Sequence, residues 1–310
     1  MIFALRGIMV SLAFFAILYS LLSLMLVLAW LALRLCRLQQ HINARGLFTL
    51  RLIPFGISVA VSLFLTLPSF LLLEGHSLDE DLGTLGLSVC AMLILGAGIY
   101  RVLAAEVRTR RIVSACLAGA IDLKRNSMTP AIVLPRSVVP LMLVGIRVPR
   151  ILISASACKV LSDGELQAAV RHEAAHSRSR DNLKKAILSC LPFPGMTSLE
   201  EAWQEASEMA ADDGAVSSRG EALDLAAALI KLARHFPPRT MPDLATGLVS
   251  AVGSVTSRVE RLVAWKECTA ASPNGWRYVV AVVILTFFGL AAKLGPALAL
   301  VHSLTERLVP

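Results

Sequence analysis

His172, Glu173, Ala174, Ala175 and His176 stand in a row and give the spacing H-E-x-x-H. On a helix, side chains four residues apart differ by about 40° around the axis and stand one turn apart, so both imidazoles can reach one metal ion. Glu173 lies beside them, where a carboxylate can take a proton from water. The bland alternative is a solvated helix face that happens to carry two histidines, and against it the motif does not stand alone.

A catalytic zinc needs a third protein ligand and an open position for water. Glu201, Glu205, Glu208 and Asp212 follow on one stripe of a helical period. Alone, such a stripe is as readily a solvated acidic face. In Glu208-Met209-Ala210-Ala211-Asp212 the Glu is the third-ligand candidate, with Asp212 one turn later to hydrogen-bond the unbound nitrogen of a ligand His. Glu205, one turn earlier, is the alternative ligand. Asp181, soon after His176, is either a second such partner or a helix-end contact. His235 is either an oxyanion contact or a helix-end histidine near the last carbonyls. Arg258 reads as one half of a surface salt bridge.

These residues need helices to hold them. Ser162 and Glu165 have capping-box spacing and open the helix of the two histidines, and Ser198 and Glu201 open the helix of the acidic stripe in the same way. Apolar-periodic segments at about 221–233, stopped by Pro237 and Pro238, and at about 254–266 add two more helices. Upstream, the short apolar runs 131–134, 138–144 and 150–154 are punctuated by Pro135, Pro140, Gly145 and Pro149. They predict a small sheet with a bent edge, and hence an α+β domain over 106–275.

The rest of the chain is of another kind. Over the whole sequence 56% of residues are apolar and 17% charged, and a mean hydropathy of +0.68 excludes a wholly water-soluble protein. Residues 8–33, 52–73 and 82–100 are uncharged and long enough to cross a bilayer. A fourth span is expected at about 278–301, with Lys293 near its far end where it can snorkel. The expected organisation is therefore a mostly α membrane protein: three spans in 1–105, the domain with the candidate zinc site in 106–275, and a fourth span with a short tail in 276–310. Six dispersed cysteines form no C-x-x-C pair, which excludes a thiolate zinc or redox centre of that type.

Charge sets the expected orientation. Arg34, Arg37, Arg45 and Arg51 lie between spans one and two with no acid, whereas Glu74, Asp79, Glu80 and Asp81 lie between spans two and three with no Lys or Arg. The arginine-rich side is cytoplasmic, the zinc domain lies there, and both termini lie outside the inner membrane. The net charge of +8 reads as membrane topology, and no direct nucleic-acid binding is expected.

Leu161-Ser162-Asp163-Gly164-Glu165-Leu166, the His172 to His176 row, Arg178-Ser179-Arg180-Asp181-Asn182 and Glu208 to Asp212 resemble the BlaR/MecR-like integral-membrane zinc metallopeptidases, metallopeptidase family 56. The resemblance covers about 130–262 and the layout of three spans before the domain and one after. Where that family usually has Cys before the Asp of the second motif, Ala211 stands here, as in the related HtpX and CAAX-prenyl proteases, whose spans are arranged differently. The resemblance implies a gluzincin-type endopeptidase acting on a cytoplasmic protein, such as a BlaI-type transcriptional repressor, in signal transduction. For Arg258 it implies an oxyanion or substrate contact instead of the surface salt bridge. The mechanism expected is zinc on His172, His176 and Glu208 with Glu173 as the base, and the strand at 140–145 holding substrate as a sheet edge. Antibiotic-sensing members carry a penicillin-binding domain after the fourth span. None follows it in this sequence, so the input is expected from a membrane partner or the bilayer, passing through 101–111. The rival readings are a quality-control protease like HtpX and a zinc-domain scaffold that does not cleave; the intact Glu173 argues against the scaffold.

Overall fold

In the computed structural model, which describes residues 2–36, 42–73, 82–117, 121–123, 131–135, 139–236, 245–246, 255–266, 300 and 303–304, the first apolar stretch is one helix, α1 (Ile2–Leu35). It is apolar all round, the composition of a helix surrounded by lipid or protein. Asn43 caps α2 (Ala44–Val61) by accepting the Gly46 N–H on its side chain at 2.8 Å. The helix then widens into a π-helical turn, Ser62–Thr66, before α3 (Leu67–Leu73). Pro68 explains the widening, because it has no N–H for the carbonyl one turn back and its ring would clash there. The third apolar stretch forms α4 (Leu82–Leu117).

Among the described residues, three helical segments are long and apolar enough to cross a membrane: Leu5–Leu35, Ala44–Leu72 and Leu82–Ala115. Their exposed faces carry Leu24, Leu28, Phe64, Leu72 and Leu93. The fourth span expected at 278–301 and the acidic loop at 74–81 lie outside the described residues. Residue Tyr100, the expected end of span three, is not a helix end: α4 runs on through Arg101, Arg108, Arg110 and Arg111 without a break.

The chain divides into two compact units. One comprises Met1–Ile99, Leu191–Leu199 and Ala271–Pro310, and the other Tyr100–Cys190 and Glu200–Ala270. In the second unit, β1 (Ile121–Leu123), β2 (Ala131–Leu134), β3 (Leu141–Val144), β4 (Arg150–Ser154) and β5 (Ala245–Thr246) form a mixed sheet in the order β1-β2-β4-β3-β5. Only the β2–β4 pair is parallel. Both faces are buried, which is why the runs read as continuously apolar. Leu141, Leu143, Ile151 and Ile153 point to the larger core, while Met142, Val144, Leu152 and Leu134 point to a smaller one. Each such side chain contributes about 1.5–3 kcal/mol on burial. Gly145 turns the chain between β3 and β4 at φ +94, and a Cβ there would meet the Val148 carbonyl oxygen at 2.5 Å.

Strand β3 is not the sheet edge expected from the sequence. Leu143 and Val144 pair with Thr246 and Ala245 of β5, so the end of β3 nearest Gly145 is already covered. A two-residue strand is too short to announce itself by periodicity.

After β4 come α5 (Ala155–Val160), α6 (Asp163–Ser179), α7 (Asp181–Ser189), α8 (Thr197–Ala215), α9 (Arg219–His235) and α10 (Val255–Val263). The capping box at α6 is formed as the spacing predicts, with the Ser162 N–H donating to Glu165 Oε2 at 2.9 Å and the Glu165 N–H to Ser162 Oγ at 3.4 Å. The corresponding expectation for α8 fails. That helix begins at Thr197, so Ser198 lies inside it, and the Ser198 hydroxyl accepts from the Trp30 indole at 3.1 Å instead of capping. The larger core joins the sheet to α6, α9 and α10 through Ala169, Leu225, Leu229 and Leu262.

Candidate metal centre

Helix α6 carries the H-E-x-x-H row through the middle of the second unit. Its start is fixed by the capping box, and its end by Arg180, whose left-handed backbone at φ 55 breaks the helix and starts α7. His172, Glu173 and His176 are wholly buried. The two Nε2 atoms are 3.1 Å apart, with the rings nearly perpendicular at 83°.

Glu208 arrives from α8. Its Oε2 lies 3.5 Å from Nε2 of His172 and its Oε1 3.5 Å from Nε2 of His176. One donor atom from each of the three residues lies within 4.8 Å of the other two. Glu205, one turn earlier on the same helix, is exposed and is not among them. The stripe is therefore half solvated face and half site.

Both Nδ1 atoms point away from this centre at carboxylates. Nδ1 of His172 is 2.9 Å from Asp212 Oδ1, and Nδ1 of His176 is 2.7 Å from Asp181 Oδ2. A carboxylate behind each ring fixes its orientation and leaves Nε2 as the free donor toward a metal. Asp181 reaches His176 because the chain turns at Arg180, and it also takes Lys184 Nζ at 2.9 Å.

Arg258 of α10 is neither on the surface nor free for substrate. It is buried, with Nε and Nη2 donating to the two Asp212 oxygens at 2.8 and 2.6 Å and Nη1 3.0 Å from Glu208 Oε2. Arg261 adds bonds to the Met209 carbonyl at 2.9 Å and to Asp213 at 2.7 Å. These two arginines brace α8 where it carries Glu208. His235, by contrast, is exposed at the end of α9, where Nδ1 donates to the Lys231 carbonyl at 2.9 Å. The helix-end role describes it, and the oxyanion role finds no supporting contact among the described residues.

Charge follows the geometry. Burial raises the Glu208 carboxyl, but the His176 charge, bonds to both imidazoles and the Arg258 guanidinium hold it well below the usual carboxylate range. Burial likewise opposes ionised Asp212, and bonds from Arg258 and His172 bring it down to about 2. For metal-free His176 burial disfavours the imidazolium, yet Glu208 and Asp181 outweigh it and raise the pKa to about 10. Burial pushes Glu173 up, with partial relief from the His172 and His176 charges.

Glu173 supplies the test of fit. Both its carboxylate oxygens are buried with no hydrogen-bond partner among the described residues. A buried carboxylate without a donor is costly, and water beside the ligand set would supply one. Two imidazole nitrogens and a carboxylate oxygen are the protein donors that zinc takes at catalytic sites.

Sequence reasoning missed two residues of α7. Asn182 donates from Nδ2 to the carbonyls of Leu143 and Gly145 at 3.2 Å each, tying α7 to the end of β3. Lys185 donates to the Ala245 carbonyl at 2.7 Å, and burial lowers its ammonium against the pull of Glu208, Asp181 and Glu173. The signal was available for Lys185, which stands one helical turn beyond Asp181.

A family model described as BlaR1 peptidase M56 matches residues 85–262, more than half of the chain. No curated protein matches the sequence.

Proposed function

This chain belongs to the BlaR1 peptidase M56 family, and on that premise we propose that it is a membrane-bound zinc endopeptidase of the gluzincin type. The observation that carries the reading is the convergence of His172 Nε2, His176 Nε2 and the Glu208 carboxylate beside a buried, unpartnered Glu173. Zinc, when bound, polarises the scissile carbonyl and makes water acidic enough to ionise near neutral pH. Glu173 accepts the proton of the attacking water on its free carboxylate and delivers it to the amine nitrogen as that nitrogen leaves. Asp212 and Asp181 keep the two imidazoles turned with Nε2 toward the centre. Arg258 neutralises the paired acids Glu208 and Asp212, which otherwise repel each other in a buried site.

The substrate proposed is a cytoplasmic protein, in particular a transcriptional repressor of the BlaI type, so that cleavage relieves repression and the enzyme acts as an antirepressor. Cytoplasmic placement rests on the arginines at the ends of the apolar helices. The input is a membrane partner or a change in the bilayer. Comparing protein fragments from cells that carry wild type or Glu173→Gln tests the reading. A repressor fragment present only with wild type supports it, and identical fragment sets reject it.

A further inference from the structure

Helix α4 does not stop where its uncharged stretch ends. Residues 82–100 close on Tyr100, an aromatic of the kind that settles at a bilayer surface, and Arg101 follows. Beyond that point α4 packs along the sheet. Val113 rests on the smaller core, which contains Met142 and Val144. Nearer to Tyr100, Val102 and Ile146 pack against the buried pair Ala105 and Ala186. The two spacings agree: about 12 Å of helix from Val113 back to Ala105 matches about 13 Å of strand from Met142 to Ile146. Strand β3 therefore runs toward the Tyr100 end of this part of α4, and the turn into β4 lies there.

Depth follows from the same helix. Ala105 lies about 7.5 Å beyond Tyr100 along the axis. The headgroup layer on each side of the hydrocarbon core is roughly 5–8 Å thick. The turn at 145–149 thus stands at the level of the lipid headgroups.

This turn is rigid, yet its tip is uncovered. Asn182 holds the carbonyls of Leu143 and Gly145, and the left-handed backbone of Gly145 leaves no space for a Cβ beside the Val148 carbonyl. Ile146 is packed inward, whereas Arg147, Val148 and Arg150 are exposed, Val148 at 64%. Among the described residues no acid pairs with either arginine, and the sequence has none between Asp122 and Asp163. An uncovered valine between two arginines is the composition of an interfacial element, in which the apolar side chain meets the acyl boundary and guanidinium forks meet phosphates.

We propose that residues 145–150 dock on anionic phospholipid headgroups in the leaflet from which α4 emerges, with Arg147 and Arg150 on the phosphates and Val148 at the acyl boundary. The proposal goes beyond the peptidase reading and uses none of the metal ligands. Near an anionic surface each arginine is worth about fivefold in attraction, so the charge of the lipid decides whether the turn is held.

The test uses the full chain in nanodiscs of phosphatidylcholine, alone or mixed with phosphatidylglycerol, with amide hydrogen exchange read over 145–150 and over α9 as a reference. Phosphatidylglycerol is expected to slow exchange in the turn by about tenfold or more and to leave α9 unchanged. Arg147→Ser combined with Arg150→Ser should remove that difference while exchange in phosphatidylcholine stays as in wild type. If the double variant unfolds, which α9 reports, Arg147→Glu decides: its residue lies outside both strands, and the reversed charge should leave the turn no slower with phosphatidylglycerol than without it. Inorganic phosphate added to phosphatidylcholine discs should slow nothing. Equal exchange of the wild-type turn in the two lipids overturns the proposal. Full slowing in a folded variant that lacks the arginine charge, or slowing by free phosphate as strong as by phosphatidylglycerol, overturns it as well.

Discussion

Arg258 grips Asp212 with two parallel donors, Nε at 2.8 Å and Nη2 at 2.6 Å, and the same carboxylate stands 2.9 Å behind the His172 ring. Asp212 is thus held on both sides, and its hold on the imidazole depends on a fork that only a guanidinium supplies. Arg258→Lys keeps the charge and loses the fork. It should weaken metal binding by about tenfold. Arg258→Met leaves two buried carboxylates uncompensated and should cost about 3–5 kcal/mol of stability. Metal titration of the first variant and denaturant unfolding of the second check these values.

Metal binding and turnover should separate cleanly by residue. His172→Ala, His176→Ala and Glu208→Ala each delete a ligand and should lose both bound metal and activity, whereas Glu173→Gln should retain metal and lose turnover by a factor of about a hundred or more. Glu205→Ala should change neither, since its side chain is on the solvated half of α8. Metal content of the purified variants decides. Metal loss in Glu205→Ala with retention in Glu208→Ala would move the third ligand back by one turn.

The centre was legible because its spacing is helical. His172, Glu173, His176, Glu208 and Asp212 could be read off two i, i+4 patterns, and a helix fixes where such residues point. Asp181 was only half legible, since its approach to His176 depends on Arg180 taking a left-handed backbone that no local signal announces. Arg258 was invisible as a brace: its partners lie 46 residues earlier in sequence, and only tertiary packing brings α10 to α8. The misplaced cap at Ser198 and the covered edge of β3 share that cause. A Trp on another helix took the hydroxyl, and a two-residue strand took the edge.

Protons should compete with the metal. In the metal-free site the pKa of His176 rises from 6.5 to about 10, because Glu208 and Asp181 outweigh burial. Metal can bind only the neutral ring, so loading should release a proton and affinity should rise by about tenfold per pH unit below that value. The stability effect has the opposite sign. A raised folded-state pKa contributes stability that is fully present below 6.5 and lost as pH climbs through about 10. Calorimetric titrations in buffers of different ionisation enthalpy count the proton, and thermal melts of the metal-free protein across that window follow the stability.

Acid should loosen the start of α6. Burial would raise the Glu165 carboxyl, but Lys231 Nζ at 2.7 Å and the Ser162 N–H and hydroxyl bring it below its ordinary value of 4.5. The stabilisation is therefore present above about 4.5 and disappears as pH falls through the lowered folded-state value. It should be modest, under about 1 kcal/mol for the ion pair, because Lys231 is partly solvated. Ser162→Ala should cost a further ~1 kcal/mol at any pH by removing the cap. Unfolding of wild type, Glu165→Gln and Ser162→Ala at pH 7 and pH 3.5 separates the two contributions. A Glu165→Gln penalty that is as large in acid as at neutrality would contradict the assignment.

Orientation rests on arginine. Arg34 ends α1, Arg45 opens α2, and α4 leaves its apolar half through Arg101, Arg108, Arg110 and Arg111, whereas the acids Glu74, Asp79, Glu80 and Asp81 fall between the second and third apolar helices. Moving those arginines across a bilayer is disfavoured by the rule that retains Lys and Arg in the cytoplasm, while the acidic loop meets no such barrier. Helix α4 continues unbroken from its apolar half through these arginines to Leu117, and the proposed orientation keeps that end, with the chain that follows it, in the cytoplasm. A reporter fused after Lys266 should therefore be active in the cytoplasm, and one fused after Glu306 should be active outside if 278–301 crosses the bilayer. Replacing Arg34, Arg37 and Arg45 together with Glu should weaken this preference and yield a mixed population. A reporter active outside after Lys266 in the unmodified protein would place the metal centre on the other side of the membrane, and with it exclude every cytoplasmic substrate.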